Sequence, residues 1–463
     1  MKRARSHTFG FLSMLMATCF ALSPQAWPQG SAREPAQTEH APAEHLNPSL
    51  QTQALTVERI EIQGATKTRP HVILRYLSLK AGDEITPEKI ARDYDALSAT
   101  HFFKQVDFSS KPGSAAGKVV LVIEVVERRW PWLEFAGGAS ELNGWYLIPL
   151  GVRFDNFFGG GGLSGARFVL GDRIFGFYLH YRQPYAFGGR INFLVELGSA
   201  GQEFIHYLDQ QQAMQKVQHG VLRFDFSGKH GLARYLAGGF KFNNWQPEAE
   251  ARFTYNGDTI TDLPSPLADQ LEEQKVNSIF ARLQLDTRDN HFFPRAGVWG
   301  ALSFEIADAA LGSEVNFYRA ILDGRFYHAF GKNVFALHAK AGRVSEAAPF
   351  YERFYLGGAY SLRGFAERSL TPLGYGTELA LAQAEMRFPV TGYAGRPSLS
   401  AALFFDVGRI DAPDTNEENN EFISSAGFGF RLRIPVLGLL RGDFAYPLDR
   451  DDFRFHLALE QTF

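Results

Sequence analysis

A glycine-rich run at residues 160–165, with the order Gly-Gly-Gly-Leu-Ser-Gly, has the spacing of a loop that binds a phosphate. Such a loop binds anions when it opens a helix whose N-terminal amides face the ligand. Here the run joins two predicted strands, so no helix is expected after it. Ser164 is not placed as a nucleophile either, because Ala166 stands where a nucleophile elbow needs its last glycine. The run therefore predicts a turn.

Histidine side chains could serve as metal ligands or as acid–base groups. His40 and His45 fall in a segment rich in Pro and Ala, while His328 and His338 fall on separate predicted strands. Neither pair has the spacing of a metal site. We therefore predict no metal, no cofactor and no catalytic residues, so the chain is not expected to be an enzyme.

The first 26 residues of the 463-residue chain have the pattern of an export signal. Three basic residues come first: Lys2, Arg3 and Arg5. The apolar stretch that follows, residues 9–22, is too short to span a bilayer. Cleavage is expected after Ala21 or Ala26. Because Cys19 is the single cysteine and lies in this segment, we expect an exported protein without disulfides.

Composition excludes several classes of protein. Lys and Arg number 47 against 50 Asp and Glu, so a polyanion such as nucleic acid is not an expected partner. Aromatic residues make up 14% of the chain and glycines number 45, which together favour many short strands with tight turns. No run of 18 apolar residues follows the signal, so a transmembrane helix is not expected.

Residues 27–53 have too little apolar content to pack, and they predict a flexible linker. The next segment, 54–129, predicts a small β-α-α-β-β domain. Thr86 and Pro87 are suited to start its second helix, as the N-cap and the first helical residue. The predicted elements are a strand at 57–62, helices at 68–77 and 86–100, strands at 103–109 and 118–127, and a turn at 111–114.

From residue 130 to 463 the hydrophobic pattern has a period of two residues. In residues 453–460 one face carries Phe, Phe, Leu and Leu, and the other carries Arg, His, Ala and Glu. Strands of roughly ten residues with aromatic outer faces match a tilted bilayer crossing. A soluble β-sandwich also alternates, but it would leave this apolar belt in water. The fold class we predict is a transmembrane β-barrel of about 16 antiparallel strands, preceded by one α+β domain.

The expected turns alternate between short and long, which is typical of an outer-membrane barrel. The short ones are expected at 156–162, 184–189, 229–233, 287–294, 330–332, 389–397 and 435–439. The long ones are expected at 246–274, 343–377 and 411–421. An even strand count puts both ends of the barrel on the short-turn, periplasmic side.

The segment Leu362-Arg363-Gly364-Phe365, in the longest of these loops, resembles the signature of the BamA/TamA outer-membrane assembly superfamily. Two-partner secretion transporters are relatives of that superfamily. Residues 286–290 and 155–159 are similar to its periplasmic turns, and residues 404–408 and 440–448 to its late strands. The domain at 54–129 is similar to a POTRA domain, the periplasmic unit that handles extended substrates. The resemblance implies a Gram-negative outer-membrane barrel with a POTRA-like domain in the periplasm.

The resemblance implies a role in inserting or assembling outer-membrane proteins, or in translocating a polypeptide across the outer membrane. A passive pore or structural barrel, or a lipid transfer protein, is the alternative. The implied partners are an unfolded outer-membrane or secreted polypeptide, outer-membrane lipids including lipopolysaccharide, and the insertion machinery that assembles this barrel. Only one POTRA-like module fits before the barrel, whereas assembly factors have several, so the client stays open.

The same resemblance implies that Arg363 pairs with two carboxylates inside the barrel, Glu385 and Asp406. A guanidinium in a narrow, partly dry interior needs a planar acceptor, because an unpaired charge there is costly. We therefore expect the loop to be pinned inside the barrel. A solvated loop arginine is the alternative.

The seam between the first and last barrel strands is the second candidate site. Gly137 and Gly138 bring no side chains to the first strand, so weak pairing with residues 453–463 is expected. A weak seam can open sideways and offer an edge to an incoming strand. Alternatively, the glycines relieve crowding at a bend of the barrel. Phe463, with Leu459, Leu457 and Phe455 at two-residue spacing and Gln461 as a departure from that apolar stripe, resembles the terminal signal by which outer-membrane proteins are recognised for insertion.

Overall fold

The computed structural model describes residues 55–140, 144–187, 191–208, 211–230, 234–248, 254–255, 258–259, 267, 270–291, 293–393, 396–411, 421–434 and 438–459. The predicted signal (1–26), the linker (27–53) and Phe463 lie outside these residues. The chain forms two compact units. One contains the described residues through Trp132 together with Arg153–Ser164, and the other contains Leu133–Val152 and Gly165–Phe463.

The N-terminal domain has the predicted β-α-α-β-β order. Its elements are β1 (Thr56–Gln63), α1 (Pro70–Leu74), α2 (Pro87–Ser98), β2 (Phe103–Pro112) and β3 (Lys118–Glu127). The three strands form one sheet in the order β1-β3-β2, in which β1 is parallel to β3 and β2 is antiparallel to it.

Helix α2 begins where the sequence predicts, because the Thr86 hydroxyl accepts a hydrogen bond from the Lys89 amide over 3.3 Å. Its fully buried Asp93 accepts hydrogen bonds from the amides of Ser78 (2.7 Å) and Leu79 (3.0 Å). These bonds fix the helix to the segment before it. Leu97 on α2 and Ile123 on β3 lie in the same buried apolar core.

Several predicted boundaries in this domain are wrong, among them the end of α1, which is Leu74 rather than residue 77. Helix α1 starts at Pro70 rather than at residue 68, because the backbone of Arg69 is extended, as a residue before proline prefers. Strand β2 continues to Pro112, so the turn begins after it. Proline is tolerated there because β2 lies at an edge of the sheet, where its missing N–H costs no ladder bond.

The rest of the described chain forms a closed antiparallel barrel with sixteen strands of six residues or more. They are β4 (Trp132–Ser140), β5 (Gly144–Asp155), β6 (Leu163–Gly171), β7 (Phe175–Ala186), β8 (Ile191–Leu208), β9 (Gln211–His230), β10 (Arg234–Pro247), β13 (Gln274–Asp286), β14 (Gly297–Ala307), β15 (Phe317–Phe330), β16 (Asn333–Val344), β17 (Glu378–Tyr393), β18 (Arg396–Asp411), β19 (Ile423–Ile434), β20 (Gly438–Pro447) and β21 (Arg454–Leu459). A small hairpin, β11 (Thr254–Tyr255) and β12 (Asp258–Thr259), lies between β10 and β13.

Consecutive strands are neighbours around the barrel, β10 pairs directly with β13, and β21 lies beside β4. The predicted barrel of about 16 strands is therefore confirmed. The turn predicted at 389–397 is too long, because β17 and β18 stay paired beyond Pro389 through two register shifts. Strands β8 and β9 also exceed the expected ten residues, with 18 and 20.

The two faces of the barrel differ in polarity as the two-residue period predicts. On β7, Phe175 and Leu179 are exposed on the outer face, whereas Tyr178 and His180 are buried. An apolar outside and a polar inside are what a barrel needs when hydrocarbon surrounds it. Among the described residues, no helix is both long and apolar enough to cross a membrane.

Candidate functional site: the inner loop and its ion cluster

Residues 345–377, which join β16 to β17, form a long loop that we call the inner loop. Several of its apolar side chains are buried in one core with side chains of the barrel strands. From the loop these are Phe350, Leu356, Leu362, Phe365 and Tyr375, and from the strands they include Phe204, Val276, Phe317, Leu381 and Ile410. The loop therefore packs against the inner wall of the barrel.

Arg363 of the inner loop and Asp406 of β18 form a bidentate ion pair. Arg363 Nε donates a hydrogen bond to Asp406 Oδ2, and Arg363 Nη2 donates one to Asp406 Oδ1; both donor–acceptor distances are 2.7 Å. The backbone amide of Arg363 adds a third bond to Oδ2 at 3.2 Å. The ring of Phe404 lies 3.5 Å from the guanidinium carbon. Two parallel bonds and a ring beneath them fix the plane of the guanidinium.

Glu385 on β17 extends this pair into a larger cluster. Its Oε2 accepts two hydrogen bonds, one from Arg363 Nη1 at 2.9 Å and one from Arg431 Nη2 at 2.7 Å. Its Oε1 accepts a hydrogen bond from Arg387 Nε at 2.8 Å. Asp443 on β20 accepts from Arg431 Nη1 over 2.6 Å. Seven residues form what we call the ion cluster: Arg363, Glu385, Arg387, Asp406, Arg431, Arg441 and Asp443.

Strand pairing explains why these side chains meet. On β17 and β18 the cross-strand partners are Gln383 with Asp406, and Glu385 with Phe404. Residues two apart on a strand point to the same face, so both carboxylates and the aromatic ring face the lumen. Water is excluded at this depth, since Arg363, Asp406 and Glu385 are at most 1% exposed. Because a buried charge without a partner is costly, the guanidinium and the two carboxylates must neutralise one another.

Gly364 allows the loop to turn at the motif. Its φ is +93°, a backbone conformation that side chains rarely adopt. A Cβ at this position would lie 3.3 Å from atoms of Pro447 and Ser425. Leu362 and Phe365, the other motif residues, are buried in the core described above.

A second buried cluster holds the beginning of the inner loop, and we call it the base cluster. Glu352 of the loop accepts from Arg319 Nη1 of β15 over 2.7 Å. Arg319 Nη2 donates a hydrogen bond to Glu305 at 2.6 Å. Lys241 Nζ lies within hydrogen-bond distance of both carboxylate oxygens of Glu305, at 2.9 Å from Oε1 and 2.8 Å from Oε2. Ser278 Oγ donates to Glu305 over 2.7 Å. The inner loop thus has polar attachments at two separate places.

Sequence reasoning missed Arg387, Arg431, Arg441 and Asp443, and the whole base cluster. The two-residue period does place Arg431 on the polar side of β19. Which polar residues meet around the lumen depends on the strand register, and the residues alone do not give that register.

At the seam, Gly137 lies in β4 where a Cβ would come within 2.8 Å of the Tyr146 carbonyl oxygen on β5. This contact favours the alternative in which the glycine relieves crowding. Gly138 follows it in the same strand. Phe463, predicted as the terminal signal, lies outside the described residues.

Two family models match this chain. The Omp85 superfamily domain matches residues 156–463, and a POTRA model, described as surface antigen variable number repeat, matches residues 55–128. The chain belongs to the Omp85 superfamily. The predicted resemblance is confirmed, and so is the location: Omp85 proteins of this kind are outer-membrane barrels with periplasmic POTRA domains.

Among curated relatives, outer membrane protein assembly factor BamA of Nitratidesulfovibrio vulgaris is 25% identical over 430 residues, covering 89% of this chain and 52% of that one. BamA of Neisseria meningitidis serogroup B is 23% identical over 479 residues, covering 90% and 58%. This Omp85 chain therefore spans about half the length of the curated relatives it matches. The structure of Haemophilus ducreyi BamA lacking POTRA domains 1–3 has the same fold, with a TM-score of 0.70 at 16% identity. The match covers 87% of this chain and 84% of the Haemophilus chain.

Proposed function

We propose that this protein handles unfolded polypeptides at the outer membrane, either by inserting and assembling outer-membrane proteins or by translocating a polypeptide across the membrane. Its family and its curated relatives support this proposal. The single observation that carries it is the motif residue Arg363, buried with Asp406 and Glu385 inside the barrel. A passive barrel does not need a loop fixed by so costly a buried network.

The POTRA-like domain offers a place where a client can bind. In the described sheet β2 pairs only with β3, which leaves its other side as an edge, whereas the start of β1 is also hydrogen bonded to residues 82–85. An extended polypeptide can add to such an edge through main-chain hydrogen bonds. The proposed step is thus capture of an extended client by strand addition, without chemistry and without a cofactor.

The barrel receives the client in the second proposed step. The seam between β21 and β4 is where it would open, because the first and last strands of the barrel meet there and no turn connects them. An opened seam exposes an edge that can pair with an incoming strand. Further proposed partners are the surrounding outer-membrane lipids, including lipopolysaccharide, and the machinery that inserts this barrel.

Depletion of the protein, followed by measurement of the outer-membrane proteome, the secreted proteins and the lipids, tests this function. Assembly predicts that several other barrels are lost, whereas export predicts that one secreted protein disappears. Re-expression of the wild-type chain is the control and should restore what was lost. A change confined to lipids would favour lipid transfer, and no change in any of the three would favour a passive or structural barrel.

A further inference from the structure

Two residues at the tip of the inner loop hydrogen bond to β21. The Tyr360 hydroxyl donates to the backbone carbonyl of Leu459, and the Gly364 amide donates to His456 Nε2 over 2.9 Å. The second bond requires a free lone pair on Nε2, so the imidazole is neutral with its proton on Nδ1. Because β21 is the strand next to β4, the loop is attached directly to one side of the seam.

Apolar packing continues across the seam. Ala359 belongs to one buried cluster with residues from both sides: Ala458 on β21, and Tyr146, Val169 and Tyr178 on β5, β6 and β7. Tyr360 packs against the same cluster. Both sides of the seam therefore share a single apolar core that includes the loop.

Strands further from the seam hold the same segment in place. Arg441 Nη2 of β20 donates to the Ala359 carbonyl over 2.7 Å, and its guanidinium carbon lies 4.7 Å from the centre of the Tyr360 ring. Gln383 Nε2 of β17 donates to the Ser361 carbonyl over 2.6 Å. With Arg363 bound in the ion cluster, the segment from 359 to 364 cannot leave the wall without breaking several buried contacts at once.

We propose that residues 359–364 form a latch that bridges the seam from inside the barrel, with Tyr360 and His456 as its positioning residues. The strands β21 and β4 then separate only when the latch releases β21 or the cluster on the β5–β7 side. Loss of the ion cluster would loosen the latch, so the ion pairs of Arg363 and the closure of the seam are coupled. That an opened seam serves a client rests on the proposed function, but the latch itself does not.

Amide hydrogen exchange of the full-length protein in lipid nanodiscs, without any client, tests the latch. In Tyr360→Phe, exchange at β4 and β21 should be about fivefold faster, which corresponds to about 1 kcal/mol for one lost hydrogen bond. Tyr207→Phe is the matched control, because the Tyr207 hydroxyl also donates to a loop carbonyl, that of Glu367, but from β8 rather than from the seam. Its exchange at β4 and β21 should equal that of the wild type.

A second pair of variants separates the latch from a general loss of packing. His456→Leu removes the acceptor of the Gly364 amide and should speed exchange at β4 and β21, whereas His456→Gln supplies an amide oxygen as acceptor and should restore slow exchange. Heat-dependent gel mobility checks that each variant is a folded barrel. Unchanged exchange at both strands in folded Tyr360→Phe and His456→Leu, or equal effects of Tyr360→Phe and Tyr207→Phe, would overturn the latch. Because no client is present, this result is independent of the depletion experiment.

Discussion

Arg363 and Asp406 face each other as two forks, with Nε and Nη2 each 2.7 Å from one carboxylate oxygen. The two residues are 43 positions apart in the chain, and both are completely buried. Only a planar guanidinium can make both bonds together and still reach Glu385 with its third nitrogen. The geometry therefore selects arginine rather than positive charge alone.

Replacement of Arg363 by lysine should release the inner loop although the charge is kept, because an ammonium group cannot reproduce the two parallel bonds. We expect cleavage within residues 345–377 by an added protease to be at least about tenfold faster, since a hydrogen bond to a charged group contributes about 1.5–3 kcal/mol. Arg343→Lys is the control, because its pair with Glu378 is exposed to solvent. Equal cleavage of both variants would contradict the idea that the two parallel hydrogen bonds from Arg363 to Asp406 hold the inner loop.

Gly364→Ala should also loosen the loop, for two reasons. The positive φ disfavours a side chain, and the new Cβ would press against Pro447 and Ser425. Gly331→Ala separates these effects, because Gly331 also has a positive φ, +60°, but nothing lies within 4 Å of its Cβ position. Protease cleavage of the inner loop should increase in Gly364→Ala and stay at the wild-type rate in Gly331→Ala.

Glu352→Gln should free the beginning of the loop while leaving its tip bound. It replaces the buried partner of Arg319 by a neutral amide, whereas Arg319 keeps Glu305. Hydrogen exchange should therefore rise at residues 349–356 and remain slow at 359–364. Glu346→Gln, at an exposed position of the same loop, is the control and should change neither. A rise at both segments would mean that the two attachments are not separate.

The POTRA-like domain should lose stability in acid through Glu127. Partial burial raises the pKa of this carboxyl, but hydrogen bonds from Thr68, Thr66 and Lys67 outweigh that effect and lower the pKa from 4.5 to about 2. Because the folded pKa lies below the unfolded one, this contribution is complete above about pH 4.5 and is lost as the pH falls towards 2. The protection factors at residues 55–128 of the full chain, which correct for the pH dependence of intrinsic amide exchange, should therefore fall in this range.

Glu127→Gln is the matching variant for that pH series. Its domain should be less stable than the wild type at pH 7, and the difference should shrink as the pH falls from about 4.5 to 2. A difference that stays constant over this range would show that the carboxylate charge does not stabilise the domain.

The sequence was sufficient for the barrel because its signals are local. A two-residue period marks each strand, as in Phe175–Ala186, and turn residues mark the gaps between strands. The start of α1 was misplaced because one local preference, the extended backbone of Arg69 before Pro70, outweighed the helical pattern. Boundaries of this kind depend on single residues.

The candidate site could be predicted only in part. Family resemblance implied the grouping of Arg363 with Glu385 and Asp406, but Arg431 and Asp443 join them because β17 to β20 pair in one particular register. The contact between Gly364 and His456 spans 92 positions, and it depends on how the loop folds back into the barrel. No local pattern carries such information.

Complementation of depleted cells by Arg363→Ala tests whether the loop held by Arg363 is required for handling polypeptides. The readout is the outer-membrane and secreted proteome, compared at equal amounts of folded, heat-modifiable barrel. We expect wild type and Arg343→Ala to restore the missing proteins and Arg363→Ala not to restore them. Full restoration by folded Arg363→Ala would contradict this requirement.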